Sequence, residues 1–476
     1  MNRALTKFII LPMIRFGTSG WRGIISDEFT FSNVRLVSQA IANYIARERP
    51  PGRGVVIGYD TRFLSEKFAS ECARVISNHR IPVFLTDRDA PTPALSAAMI
   101  RKEAQAGINF TASHNPPEYS GLKLSTNKGA SALPDVTEQI EREIRKLEAH
   151  PPTFYYLDET LIEEFSPQEM YLNLLNNTVR VERLNSNLRV AVDTLWGTAR
   201  DYLDRFFIDR GCTVEVIHNF RDPYFGGYGP EATEETLQEL KQLVVSKKMN
   251  LGVSTDGDAD RFGIIDSDGT YITPNQTLAL LLDYLVQDRG WKGSVARSVA
   301  TTHLIDEIAR KHDLPVLVTP VGFKFLADLF LDRKIILGCE ESAGLSVQGH
   351  LPEKDGILTC ALVAEMVATR QEPLKAQLDQ LYKTYGYRVS KRRSYRSTEQ
   401  LSKRVQDLVQ HPPKTFGGEQ VIDVNTMDGL KMILKDGSRV LLRISGTEQL
   451  VRVYAESNSE EKLDKLRKST DALLGQ

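Results

Sequence analysis

The chain has 476 residues, 41% of them hydrophobic and 26% charged, which is enough apolar material for several buried cores and excludes a disordered polypeptide. Its 60 Lys+Arg and 62 Asp+Glu give a net charge of -2, so there is no electrostatic footprint for nucleic acid or an anionic membrane. Cys72, Cys212, Cys339 and Cys360 form no CxxC pair, which argues against a disulfide scaffold or zinc site and fits a reducing cytoplasm.

At about 150 residues per domain the length suggests roughly three domains. Phe8–Ile14 is apolar but short and is broken by Pro12. It reads as a leading strand or a start-site extension rather than a signal peptide. No apolar run approaches the roughly 18 residues of a membrane-spanning helix. FGTSGWRG (Phe16–Gly23) then offers Arg22 on a glycine-rich turn.

One layout now begins and recurs three times: apolar strand, Thr- or Ser-bearing loop, amphipathic helix, second strand. The first copy runs from Gly54 to Thr86, the second from Leu188 to Ile217 and the third from Gly293 to Thr319. Such units are strand–helix–strand crossovers of an α/β layer architecture. Sites in these sheets lie at the carboxyl ends of strands, where Asp60, Asp193 and Thr319 fall.

Between the first two copies stands NFTASHNPPEYSGLKLS (Asn109–Ser125), in which Asn-Pro-Pro forces a tight turn after Ser113 and His114. The serine is either a presented nucleophile or part of an ordinary Ser-x-Asn-Pro turn, since no GxSxG elbow is present. The acidic, Pro-bearing stretch His150–Glu169 closes a first domain. After the second copy comes STDGDADRFG (Ser254–Gly263). On an extended backbone Asp256, Asp258 and Asp260 point to one side, and three close carboxylates call for a hard cation such as magnesium. An EF-hand is excluded because Arg261 and Ser267 stand where Gly and Glu are required. The hairpin Ile264–Thr273, with Asp-Gly at its turn, closes a second domain.

Beyond the third copy, GCEESAGLSVQGHLPEKDG (Gly338–Gly356) carries Glu340, Ser342 and Lys354 after an apolar strand. These groups suit sugar hydroxyls, or equally a plain polar loop. After Tyr385–Ser397 the pattern changes to four short strands and a final amphipathic helix, Glu460–Leu474, a small α+β domain. On it Arg443, Ser445, Gly446 and Thr447 gather at a strand end. Their amides, hydroxyls and guanidinium suit a phosphate or a polar hairpin turn. No GxxxxGK[ST] loop occurs, so a P-loop nucleotidase is excluded. The predicted division is 1–160, 161–270, 271–385 and 386–476.

With these motifs in order, the chain resembles the α-D-phosphohexomutase superfamily, most of all bacterial phosphoglucomutase/phosphomannomutase sequences, over essentially its whole length. TASHNP resembles the family's phosphoserine loop, DGDADR its metal loop, EES its sugar-recognition loop and RISGTE its phosphate-binding loop. The resemblance implies an α/β fold of four domains around a central cleft. Three would be related α/β/α sandwiches with mixed sheets, and the fourth a smaller C-terminal α+β domain.

It implies a catalytic set of Ser113, His114, Lys123, Arg22 and Arg261. Ser113 would be phosphorylated and Lys123 a candidate general acid/base. Mg2+ would sit on Asp256, Asp258, Asp260 and the phosphorylated Ser113. Glu340 and Ser342 would grip the sugar, while Arg443, Ser445, Gly446 and Thr447 would hold the phosphate that is not reacting. Lys354 would lie close to that phosphate, with Gly322 and Arg452 completing the substrate set.

The implied reaction moves a phosphate between the 1- and 6-positions of a hexose through glucose 1,6-bisphosphate, in a cytoplasmic monomer or homodimer. EESAG resembles glucose-type enzymes, with Gly344 where many mannose/glucose and glucosamine enzymes carry His. Gln449 replaces a usual proline after SGTE, and Cys339 a usual glycine before EES. The alternatives are a phosphomannomutase or dual-specificity mutase and, from another class, a non-catalytic sugar-phosphate binding protein.

Overall fold

The three repeats fold as strand, helix and parallel strand: Val55–Tyr59, Ser65–Ser77 and Val83–Thr86; Arg189–Asp193, Leu203–Ile208 and Thr213–Ile217; Ser294–Ser298, Leu304–Lys311 and Val316–Thr319. They belong to a computed structural model that describes residues 14–150, 152–153, 159–332, 334–446 and 449–475. Most of the predicted N-terminal strand, residues 8–13, lies outside the described residues.

Each repeat belongs to a mixed sheet covered by helices on both faces, and the strand period of two shows why. Val55 and Ile57 enter one core, whereas Val56 enters another on the opposite face. Val190 and Val192 separate from Ala191 in the same way, as does Val295 from Ala296. In every sheet the first repeat strand also pairs in parallel with a later one: Ala106–Phe110, Leu251–Thr255 or Ile335–Glu340. Each later strand then turns back antiparallel, into Tyr119–Thr126, Phe262–Asp266 or Gly344–Val347. The three return loops are the serine loop, the aspartate loop and the sugar loop of the sequence reading, so one topological position is used three times.

The fourth sheet is antiparallel throughout and is packed by Glu399–Gln410 and Glu460–Leu474. Its edge strand, Val389–Arg396, pairs along its whole length with Leu450–Ser457. The sequence reading did not predict this strand, because Lys391, Arg392 and Arg393 are exposed and no apolar alternation marks it. Charged residues are what a sheet edge uses to avoid pairing with another chain. A second difference is Ile162–Phe165, which adds in parallel to Val83–Thr86 of the first sheet although the predicted boundary fell at 160.

The third unit meets the aspartate loop at the start of helix Gly356–Arg370. Asp355 caps that helix, accepting from Leu358 N at 2.8 Å, and its carboxylate also accepts from Tyr171 Oη at 2.7 Å. Gly356 N donates to Ala259 O at 3.1 Å, and a Cβ at Gly356 would lie 2.2 Å from Arg261 O. Only glycine fits there. Gly356→Ala is expected to destabilise the protein by about 1–3 kcal/mol through overpacking. An unchanged thermal midpoint would contradict this close approach.

Candidate active site

The serine loop leaves Ala106–Phe110 and returns as Tyr119–Thr126. Ser113 has φ 52, left-handed and uncommon for a residue with a side chain. Its N–H donates to Thr111 Oγ1 at 2.8 Å, and its hydroxyl donates to Asp256 Oδ2 at 2.7 Å. His114 Nδ1 lies 3.4 Å from the same hydroxyl. Burial, with Arg261 and Arg22 nearby, holds the His114 imidazole well below its usual range and so neutral. Arg22 donates to Thr111 O at 2.9 Å and Ser19 O at 3.2 Å, and burial lowers its guanidinium to about 10.

Asp256, Asp258 and Asp260 are fully buried, with one carboxylate oxygen of each within 4.8 Å of the others. Lys123, on the serine loop's return strand, donates to Asp258 Oδ2 at 2.5 Å and Asp260 Oδ2 at 2.6 Å. Thr92 Oγ1 donates to Asp258 Oδ2 at 2.6 Å, and Lys354 Nζ donates to Asp260 Oδ2 at 2.6 Å. Burial pushes Asp256 up to about 8, reinforced by Asp260 and Asp258. Burial opposes ionisation of the other two as well, but Lys123 and Lys354 outweigh it and hold both below the usual carboxylate range. Burial also opposes the Lys123 charge, and Asp258 and Asp260 overcome it, raising that ammonium above its usual value.

Asp258 Oδ1 and Asp260 Oδ1 are buried without a hydrogen-bond partner. Orphaned carboxylate oxygens are costly unless a cation takes them. An all-oxygen set of this kind fits Mg2+.

The sugar loop and the fourth unit face this centre. Glu340 is buried, accepts Gly322 N at 2.6 Å, and has its carboxyl raised by burial against the pull of that bond and of Lys354. Ser342 and Arg261 line a cavity of about 650 Å³ between the second, third and fourth units. Arg261 donates to Glu231 Oε1 at 3.2 Å. Arg443 and Arg452 sit opposite each other on paired strands. Arg443 Nε donates to Asp428 Oδ2 at 2.8 Å, and the same oxygen accepts Val321 N at 2.9 Å. Ser445 N donates to Leu450 O at 2.8 Å. A Cβ at Gly322 would lie 3.1 Å from Thr18, and one at Gly446 4.0 Å from it. Thr18 thus brings the glycine-rich N-terminal turn against both the 320–322 loop and the phosphate loop. Thr447 lies outside the described residues.

Four residues make contacts that the sequence reading did not name. Lys354, expected close to the non-reacting phosphate, donates to the buried Asp260 carboxylate, a contact the sequence reading did not name. Asp60 and Asp193 do not join the site. They are buried ion-pair partners of Arg62 at 3.0 Å and His218 at 2.8 Å. Thr319 turns its hydroxyl onto Pro320 O at 3.0 Å. Two contributors were missed, Thr92 on Asp258 and Arg62 beneath the serine loop. Arg62 had a signal, its place directly after a repeat strand in DTR. Thr92 had none.

The sequence matches four family descriptions in order. They are Phosphoglucomutase/phosphomannomutase alpha/beta/alpha domain I over residues 13–151, domain II over 169–269 and domain III over 273–385, and the C-terminal domain over 392–473. A Phosphoglucomutase/phosphomannomutase of Thermococcus kodakarensis is 30% identical over 448 residues, 94% of this chain and 95% of that one. A Phosphoglucosamine/phosphogalactosamine mutase of Sulfurisphaera tokodaii is 27% identical over 454 residues, 94% and 95% of the two chains. Among solved structures, a candidate phosphomannomutase from Thermus thermophilus superposes with a TM-score of 0.85 at 29% identity, covering 98% and 99% of the two chains.

Proposed function

This chain belongs to the phosphoglucomutase/phosphomannomutase family of phosphohexomutases, and we propose that it interconverts glucose 1-phosphate and glucose 6-phosphate with Ser113 as phosphoryl carrier. The observation that carries the reading is the Ser113 hydroxyl, 2.7 Å from Asp256 at the edge of a buried three-carboxylate site with two orphaned oxygens. A serine in that position can hand a phosphoryl group across without meeting bulk water.

In this reading phosphorylated Ser113 gives its phosphoryl to the free hydroxyl of the hexose monophosphate, forming glucose 1,6-bisphosphate. The bisphosphate turns in the cleft and returns its other phosphoryl to Ser113. The transition state is metaphosphate-like and asks for positive charge more than for a strong nucleophile. Mg2+ on Asp256, Asp258 and Asp260 would supply part of that charge when bound. Arg22, Lys123 and Arg261 would supply the rest from the chain, and Lys123 is the proposed general acid/base. Neutral His114 lies beside the Ser113 hydroxyl, its Nδ1 3.4 Å away, without competing for the cation site. Glu340 and Ser342 orient the sugar. Arg443, Ser445, Gly446, Thr447 and Arg452 would hold the far phosphate, with Gly322 completing the substrate set.

Glucose is favoured by the EESAG loop. A Cβ at Gly344 would lie 3.1 Å from Lys354 Cδ, so a side chain there would disturb the lysine that reaches Asp260. The relative that acts by name on glucosamine and galactosamine phosphates keeps a second reading open, an amino-sugar or mannose preference. Paired assays with Mg2+ and trace glucose 1,6-bisphosphate on glucose, mannose and glucosamine 1-phosphates separate them. The highest kcat/KM is expected with glucose, and a clear preference for either rival would overturn that assignment. We place the enzyme in the cytoplasm, supported by four buried thiols without a disulfide and by the absence, among the described residues, of a helix long and apolar enough to cross a membrane.

A further inference from the structure

Arg62 has no exposed surface, which is rare for an arginine unless every donor is engaged. Here all five are. Nη2 donates to Ser113 O at 2.7 Å and Asn115 O at 2.6 Å, and Nη1 donates to Pro116 O at 2.7 Å and Tyr119 O at 3.0 Å. Nε donates to Asp60 Oδ2 at 3.0 Å. Asp60 is fixed in turn, since its Oδ1 accepts Arg62 N at 3.0 Å and Ser65 Oγ at 2.9 Å. The guanidinium carbon lies 5.0 Å from the Phe225 ring centroid, a contact with the second unit.

The serine loop has no regular secondary structure around residues 111–118, so its buried carbonyls need partners from elsewhere. One planar fork supplies three of them, together with the carbonyl of Tyr119 at the start of the return strand. Those carbonyls converge on Arg62, while the hydroxyl of Ser113 emerges on the other side of the turn toward Asp256. The left-handed φ of 52 at Ser113 costs about 1–2 kcal/mol and persists only where surroundings over-determine it. The Ser113 O bond to Arg62 and the 2.7 Å bond to Asp256 grip that residue from both sides.

We propose that Arg62 is a positioning residue for phosphoryl transfer: its guanidinium gathers the carbonyls of residues 113, 115, 116 and 119 and so sets the Ser113 hydroxyl at the aspartate site. Buried with every donor taken up by carbonyls and Asp60, it acts through the loop. A lysine would keep the charge but, with three donors from one atom, could not span four carbonyls and Asp60.

The inference rests on the reading of Ser113 as phosphoryl carrier, and the test separates the two. Arg62→Lys, Arg62→Gln and Ser113→Ala are prepared in the full chain. Thermal midpoint, kcat and KM for glucose 1-phosphate, and the rate of phosphoryl uptake from glucose 1,6-bisphosphate are measured for each. Folded Arg62→Gln is expected to lose about 100-fold in kcat and in phosphoryl uptake, the scale of an ångström-level misplacement, with KM within about 3-fold of wild type. Arg62→Lys should fall between the two. A merely structural role would lower the midpoint and leave kcat of the folded enzyme unchanged. That result, or failure of both Arg62 variants to fold, would overturn the proposal. An active Ser113→Ala would instead bring down the carrier reading itself.

Discussion

Ser113→Ala is expected to lower kcat by on the order of 10⁴-fold or more while leaving the fold in place. The substitution removes one hydroxyl and its 2.7 Å bond to Asp256, but none of the carbonyl contacts that hold the loop. Alanine tolerates the left-handed backbone no better than serine does, so a stability loss of only about 1 kcal/mol is expected. A coupled mutase assay with thermal unfolding of the same preparation checks both halves. Activity within tenfold of wild type would end the phosphoserine mechanism for this chain.

Asp258→Asn should act nearly as strongly, by way of the cation. In the metal-free protein Asp258 sits between attraction to Lys123 and repulsion from Asp256 and Asp260. Replacing it trades one against the other, and the metal-free midpoint should move little. The effect belongs to the magnesium-loaded state. A ligand at a hundredfold excess over Kd stabilises the native state by about 2.7 kcal/mol, a shift of a few degrees that wild type should show and the variant should lose. Catalytic loss on the order of 10³-fold follows if the ion supplies several kcal/mol at the transition state. A variant whose midpoint still rises with Mg2+ as in wild type would show that Asp258 does not hold the ion.

The aspartate site was legible because its three carboxylates are neighbours in sequence, although a turn with Ala259 at a left-handed φ of 59 gathers them rather than the extended backbone on which the alternation was read. The layered fold was legible for a similar local reason, since Val55, Val56 and Ile57 already encode two opposed cores. What sequence did not show were contacts across long separations. Arg62 reaches acceptors 51 to 57 positions away, Lys354 an aspartate 94 positions away, and Thr92 one 166 positions away. Nothing local distinguishes Thr92 or Lys354 from surface polar residues, and Arg62 had only its place directly after a repeat strand. Ser113 stood between these cases. Its turn was readable from Asn-Pro-Pro, but its partner across the cleft came from the family resemblance in the sequence and from folding in the structure. The strand Val389–Arg396 was hidden because an edge that faces solvent carries no apolar period.

The most direct test of the account is the covalent state of Ser113 during turnover. Wild-type protein is exposed to glucose 1,6-bisphosphate with Mg2+, and its peptides are then mapped by mass. One phosphoryl group is expected on the peptide containing Ser113, lost again when glucose 1-phosphate is added and recovered in the bisphosphate. Full mutase turnover with that peptide unmodified throughout would contradict the account.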